Sequence, residues 1–230
     1  MNDVRPVRPI PLALTALVAF FSALAALGVS SGMAHAHGHA TAQAPTVSEQ
    51  AVDLRQNMRK LWEDHITWTR LAIISLEGGT PDTKATVARL LRNQTDIGNA
   101  IKPFYGAAAG NALTALLKEH ILVAADLIAA AKAGDSAKVA ATQARWTRNA
   151  DQIAATLHRV NPRFWPLAAM KDEMHMHLKL TADEAIAHLQ GNWAADVADY
   201  DNVHKHILHM ADLLSEGLID QFPARFEAHG

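Results

Sequence analysis

The feature that most constrains this chain is a spacing of apolar side chains at three- and four-residue intervals, sustained from residue 48 onward and broken only at glycines and prolines. From Ser48 to Leu76, the residues Leu54, Met58, Leu61, His65, Ala72 and Leu76 fall on one face of a helix. Gly78 and Gly79 stop it, and Thr80-Pro81-Asp82 opens the next helix with a cap, a proline at the first helical position and an early carboxylate. That second helix is predicted to run to about Lys102, where Pro103 and Gly106 end it, and a third runs from about Ala107 to Ala133. Gly134 stops the third, and Asp135 caps a fourth that reaches about Arg159. Asn161, Pro162 and Pro166 break the chain again, a fifth helix ends at Gly191, and a sixth runs from Trp193 to beyond Leu214. No stretch alternates with period two. The short connections predict successive helices side by side. The expected fold is therefore all-α, an antiparallel bundle of about six long helices over residues 48–230. Two near-copies, "RNQTDI" from Arg92 and "RNADQI" from Arg148, and the nearly equal spacing of His65, His120 and His177 suggest three related helical hairpins.

The N-terminus reads as an export signal. Arg5 and Arg8 precede an apolar run from about Leu12 to Val29, and Ala34-His35-Ala36 places small residues where a signal peptidase reads. Residues 1–36 are the predicted signal peptide and residues 37–47 a flexible, His-containing lead-in. An uncleaved anchor and cleavage after Ala40 are the alternatives. Once the signal is removed, no stable membrane insertion is expected, and the protein should be periplasmic or extracellular. The chain has no cysteine, which excludes disulfides, haem attached through CxxCH, thiolate metal sites, cysteine nucleophiles and a lipobox. Net charge is −2 with scattered Lys and Arg, giving no basic stripe for nucleic acid.

The remaining chemistry is histidine placed where a bundle core should be apolar. On a helical wheel, His65 falls between Leu61, Trp68 and Ala72, and His120 among Leu113, Leu116, Leu117, Val123, Ala124 and Leu127. His204 shares a face with Trp193, Val197, Tyr200, Leu208 and Ala211, whereas His206 and His209 turn away from it. Of His175 and His177 on the fifth helix, His177 is favoured, sharing an edge with Thr181, Glu184 and His188. Each of the four lies roughly a dozen residues from its helix start, about 18–20 Å along the axis, so the rings should meet at one level. Gln94 joins that layer. His65, His120, His177 and His204, with Glu184 and Asp201 as further ligands or orienters, form the candidate site for a transition-metal ion, Zn, Fe, Mn or Cu. Glu63, Asp64 and Glu119 point off the core. Glu-x-x-His does not occur at any of these histidines, which argues against a di-iron bundle. Met174 and Met176 beside His175 and His177 leave b-type haem or copper as a further reading. Separately, cleavage after Ala36 would expose His37-Gly38-His39, whose free amine, backbone nitrogens and third-position histidine can wrap copper(II) in a square plane.

The segments "LWEDHITWTRLAIISL", "RLLRNQTDIGNAIKPFYG", "LLKEHILVAADL", "HLKLTADEAIAHL" and "YDNVHKHILHMADLLSEGLIDQFPARF" resemble a family of small secreted bacterial helical proteins of unknown function. The resemblance covers roughly Leu61 to Phe226. Members sometimes carry glycosyltransferase or acetylglutamate kinase labels. The chain has neither the strands nor the glycine-rich phosphate loop those activities need, and no nucleophile elbow. The expectation is metal binding without turnover. The alternatives are a structural or interaction module whose buried polar layer fixes helix register, and a metal-dependent enzyme.

Overall fold

The computed structural model describes residues 48–227, and among them it contains five α-helices, a final 3-10 turn and no strand. Helix α1 spans Glu49–Gly78, α2 Thr83–Ala133, α3 Ser136–Val160, α4 Leu167–Leu189 and α5 Trp193–Gln221, with the 3-10 turn at Pro223–Arg225. The predicted signal, the lead-in and with them His37 and His39 lie outside the described residues.

Local chemistry sets the helix starts. Ser48 Oγ accepts the Ala51 N–H at 3.2 Å, Asp135 Oδ1 that of Lys138 at 3.0 Å, and Asn192 Oδ1 that of Ala195 at 3.4 Å. Each satisfies a donor that the first turn leaves without a partner. Helix α2 begins at Thr83, slightly later than its Thr80-Pro81 signal predicts. The Asp82 carboxylate there takes the hydroxyls of Ser75, Thr80 and Thr86 rather than a backbone N–H.

The sequence predicts six helices and the structure has five, because the predicted second and third are one element bent at Gly106. Gly106 has φ 81° and ψ 169°, a conformation open to glycine and costly to other residues. Pro103, just before it, contributes no N–H, so a break here forfeits little helix. The residues on either side remain helical, and no loop intervenes. The two halves of α2 touch at two glycines: a Cβ added at Gly98 would lie 2.6 Å from Gly110 O and collide with Thr114 Oγ1. One added at Gly110 would lie 2.5 Å from Gly98 O. Sequence punctuation marks the right place, and the missing side chains let the halves close.

Each helix packs on the next and α5 returns to α1, closing the bundle. Arg55 and Arg59 on α1 pair with Glu216 (2.7 Å) and Asp212 (2.5 Å) on α5. Exposed pairs of this kind contribute well under about 1 kcal/mol each. Buried side chains such as Met58, Ile66, Ile153, Leu178 and Ile207 contribute about 1.5–3 kcal/mol apiece and carry the fold. Trp165 is wholly buried, in space that Gly217 leaves by lacking a side chain, and Asn161 Nδ2 holds Gly217 O at 2.8 Å. No described helix is long and apolar enough to cross a membrane.

Candidate metal centre

Helices α1, α2 and α4 each turn one histidine into the core. His65 lies beside Trp62 and Ile66, His120 beside Leu117 and Ile121, and His177 beside Leu178, all with 3 % exposure or less. His177 is the hub. Its ring centroid is 5.6 Å from that of His65, 6.0 Å from that of His120 and 6.3 Å from that of His206 on α5. The His177 and His206 planes differ by 17°, those of His120 and His177 by 25°. Two indoles wall the group, Trp62 at 5.7 Å from His65 and Trp146 at 5.3 Å from His120.

Hydrogen bonds set the protons. His120 Nδ1 is 2.9 Å from Asn149 Oδ1, and because an amide oxygen only accepts, Nδ1 carries the proton and Nε2 a bare lone pair. His65 Nδ1 faces Gln94 Nε2 at 3.2 Å. The two hydrogens of that amide nitrogen go to Leu90 O at 2.9 Å and Asn93 Oδ1 at 3.1 Å, while Gln94 Oε1 has no partner. Gln94 thus joins the layer through His65.

A threefold pattern underlies this arrangement. Asn93 Nδ2 donates to Leu61 O at 3.0 Å, Asn149 Nδ2 to Leu116 O at 3.1 Å, and His206 Nε2 to Glu173 O at 3.2 Å. In every case the accepting carbonyl lies one helical turn before an inward histidine: His65, His120 and His177. Each histidine is therefore tied to the following helical segment at the same relative height. His206 occupies in the third unit the position that asparagine occupies in the first two.

Burial makes these imidazoles poor bases. Desolvation pushes His65 down to about 3, helped by the field of His120. It pushes His120 down to about 4 against the raising effect of Asn149. His177 falls well below the ordinary value through burial and then its three neighbours His65, His120 and His206. All three are neutral at neutral pH. His120 Nε2 and His177 Nδ1 are buried with no hydrogen-bond partner. An unmet buried polar atom costs about 1–3 kcal/mol, so both are poised to accept from a donor or bind a cation. Among the described residues, no three His, Asp or Glu side chains stand in a ready-made ligand set.

Several predicted members lie elsewhere. His204 does not enter the layer: it is 32 % exposed at its side chain, faces Glu63 at 3.3 Å and stacks on Tyr200. Trp193 and Val197, the apolar residues that share its face, are 61 % and 54 % exposed, so that face of α5 is turned to solvent. The buried face is that of Val203, Ile207, Met210 and Leu214, and His206 borders it with 11 % side-chain exposure. His209 does point outward. Asp201 is exposed. His175 pairs with Asp151 at 3.0 Å.

Glu184 is fully buried but serves a different group. Its Oε1 receives Arg70 Nη1 at 2.8 Å, and Arg70 also holds both oxygens of Asp196, at 2.8 and 3.1 Å. His188 Nδ1 reaches Asp196 at 3.0 Å, and the guanidinium lies 4.8 Å from the Tyr200 ring centroid. Burial raises Glu184 to about 7 despite Arg70. On Asp196, burial is outweighed by the bonds from Arg70 and His188, which hold it below the usual carboxylate range. Sequence reasoning missed this network, whose members are far apart in the chain and follow no shared spacing. It missed His206 too, although the 29-residue interval from His120 to Asn149 recurs from His177 to His206 and nearly matches the 28 from His65 to Asn93. No family model, curated protein or solved structure matches the chain.

Proposed function

We propose that this is an exported helical-bundle protein that binds one transition-metal ion, Zn, Fe, Mn or Cu, at His65, His120 and His177, with His206 rather than His204 as the fourth imidazole. The observation that carries the reading is the state of His120. Its Nδ1–H is held by a buried amide oxygen and its Nε2 lone pair lies unpaired in the core, with the ring of His177, whose Nδ1 is also unpaired, 6.0 Å away between centroids. A metal-ligating histidine has this form, with one nitrogen oriented by an acceptor and the other bare. The depressed basicity removes the competing proton. His65 joins by turning its Nδ1 from Gln94 Nε2 toward the ion. The rings must rotate toward a common point to reach the roughly 2.0–2.1 Å of a metal–nitrogen bond. The three parallel carbonyl bonds support an architecture of three related antiparallel hairpins, each contributing one inward histidine.

The test is titration of untagged, chelator-treated protein with cobalt(II), followed by visible absorption. One equivalent should produce ligand-field bands that are lost in His120→Ala and His177→Ala and kept in His204→Ala and His209→Ala. Bands that are absent, or that survive both core substitutions, would refute the proposal. The three carbonyl bonds also favour a second reading, a polar layer that fixes helix register without an ion. On that reading the core substitutions lower stability equally with and without metal.

A further inference from the structure

A cavity of ≈ 60 Å³ opens beside the histidine layer, between α1, α2, α3 and α4. Its wall is almost wholly apolar, with Ile73, Val87, Leu90, Ile128 and Ala185 among the lining residues. The polar exceptions are informative. Thr69 spends its hydroxyl on His65 O at 2.8 Å. Thr181 Oγ1, Trp146 Nε1 and Glu77 Oε2 also belong to lining residues, and all three atoms are buried without a partner. Thr181 and Trp146 are only 6 % and 2 % exposed, so water does not serve them from the surface. Unmet polar atoms around an apolar cavity are the composition of a small-molecule site: a greasy body with a few polar groups to orient a guest.

Charge decides the class of guest. Glu77 lies in the negative field of Asp196 and Glu184, and burial with these neighbours raises it to about 8, with Lys132 opposing. The nearby cations are committed. Arg70 is shared between Glu184 and Asp196, and Lys132 Nζ donates to Leu76 O at 3.2 Å. The Glu184 Oε2 atom is also buried and unpartnered. Glu77, at about 8, holds its proton at neutral pH. An anionic guest would find no uncommitted cation here, and a wholly apolar one would leave the Glu77 oxygen unmet. An alkylamine, the stronger base, takes the Glu77 proton and pairs with the carboxylate as an ammonium. By volume the cavity holds roughly four to six water-sized groups, enough for a short alkyl chain or one ring.

We propose that this cavity is a binding site for a small primary amine with an apolar tail, the tail lying against Leu90 and Ile128 and the ammonium group on Glu77. The site needs no metal and is independent of the histidine layer. It is tested on the purified protein in chelator by calorimetric titration with n-pentylamine, 1-pentanol and pentanoate. Pentylamine should bind at least tenfold more tightly than 1-pentanol, and pentanoate should not bind. Glu77→Gln should weaken pentylamine at least tenfold. Ala185→Leu, which fills the cavity, should abolish binding while circular dichroism shows the fold intact. The proposal is overturned if no pentylamine binds, if the alcohol or the carboxylate matches the amine, or if folded Ala185→Leu binds pentylamine as wild type does.

Discussion

Replacing Glu77 by glutamine should steepen the loss of stability on acidification, because two sets of buried groups titrate in opposite senses. His65 and His120 are pushed down to about 3 and about 4 in the folded protein. In the unfolded chain they take a proton near the ordinary value of about 6.5. Below that pH the unfolded state binds more protons, so their stability is intact above about 6.5 and is lost as pH falls toward the folded values. At about 1.4 kcal/mol per unit, each costs about 2 kcal/mol between pH 7 and 5, and His177 acts in the same direction. Glu77 and Glu184, raised to about 8 and about 7 by burial, do the reverse. They hold protons that the unfolded chain lacks until about pH 4.5, so each returns up to about 2 kcal/mol over the same interval, less what partial exposure screens. Wild type should therefore lose only part of the histidine contribution between pH 7 and 5, since three imidazoles outweigh two carboxyls. It should fall steeply below about 4.5, where the unfolded carboxylates also protonate and the compensation ends. Glu77→Gln removes one returning group and should lose about 2 kcal/mol relative to wild type from pH 7 to 5. Urea unfolding in chelator at pH 7, 6 and 5, followed by circular dichroism, measures the difference. Parallel profiles for the two proteins would refute the reasoning.

Gly98→Ala sets helix propensity, worth about 1 kcal/mol in alanine's favour, against a Cβ 2.6 Å from Gly110 O. The overlap should win by about 1–3 kcal/mol, lowering the urea midpoint, whereas a rise would mean the two halves of α2 do not meet there. Asn149→Ala strips the partner from His120 Nδ1 and the extra side-chain bond from Leu116 O. It should cost about 1–3 kcal/mol, mainly from the unmet His120 Nδ1–H, and weaken metal binding about 10–100-fold in a chelator competition, while an unchanged affinity would remove Asn149 from the site. Protein that begins at His37 should take up one copper(II) seen by visible absorption and lose it on deletion of residues 37–39. Mass spectrometry placing the mature N-terminus at Thr41 would contradict this.

Much of the fold can be read from local signals because they are chemically local. Gly79, Gly134 and Gly191 take positive φ at helix ends, and Ser48, Asp135 and Asn192 each cap the helix that follows. Gly106 marks a real break in helical geometry, but whether a break becomes a loop or a bend depends on the approach of Gly98 to Gly110, which no local pattern contains. His65, His120 and His177 are correctly read as inward because the apolar residues around them are truly buried. On α5 the same method selects His204 over His206, since Trp193 and Val197 are apolar yet exposed and carry the wheel to the wrong face. The Arg70, Glu184 and Asp196 group is invisible to periodicity. Ion pairs between separate helices leave no spacing, and Glu184 read alone looks like one more residue beside His177.

The claim that the histidine layer holds an ion is most directly tested by elemental analysis of the protein purified without a polyhistidine tag and lacking residues 37–39, so that only the bundle can bind. One equivalent of a single transition metal should accompany wild type, and less than a tenth of that should accompany the His120→Ala, His177→Ala double variant. Wild-type protein carrying no metal, both as purified and after exposure to zinc, iron, manganese and copper, would contradict the account and leave the layer as a device for helix register.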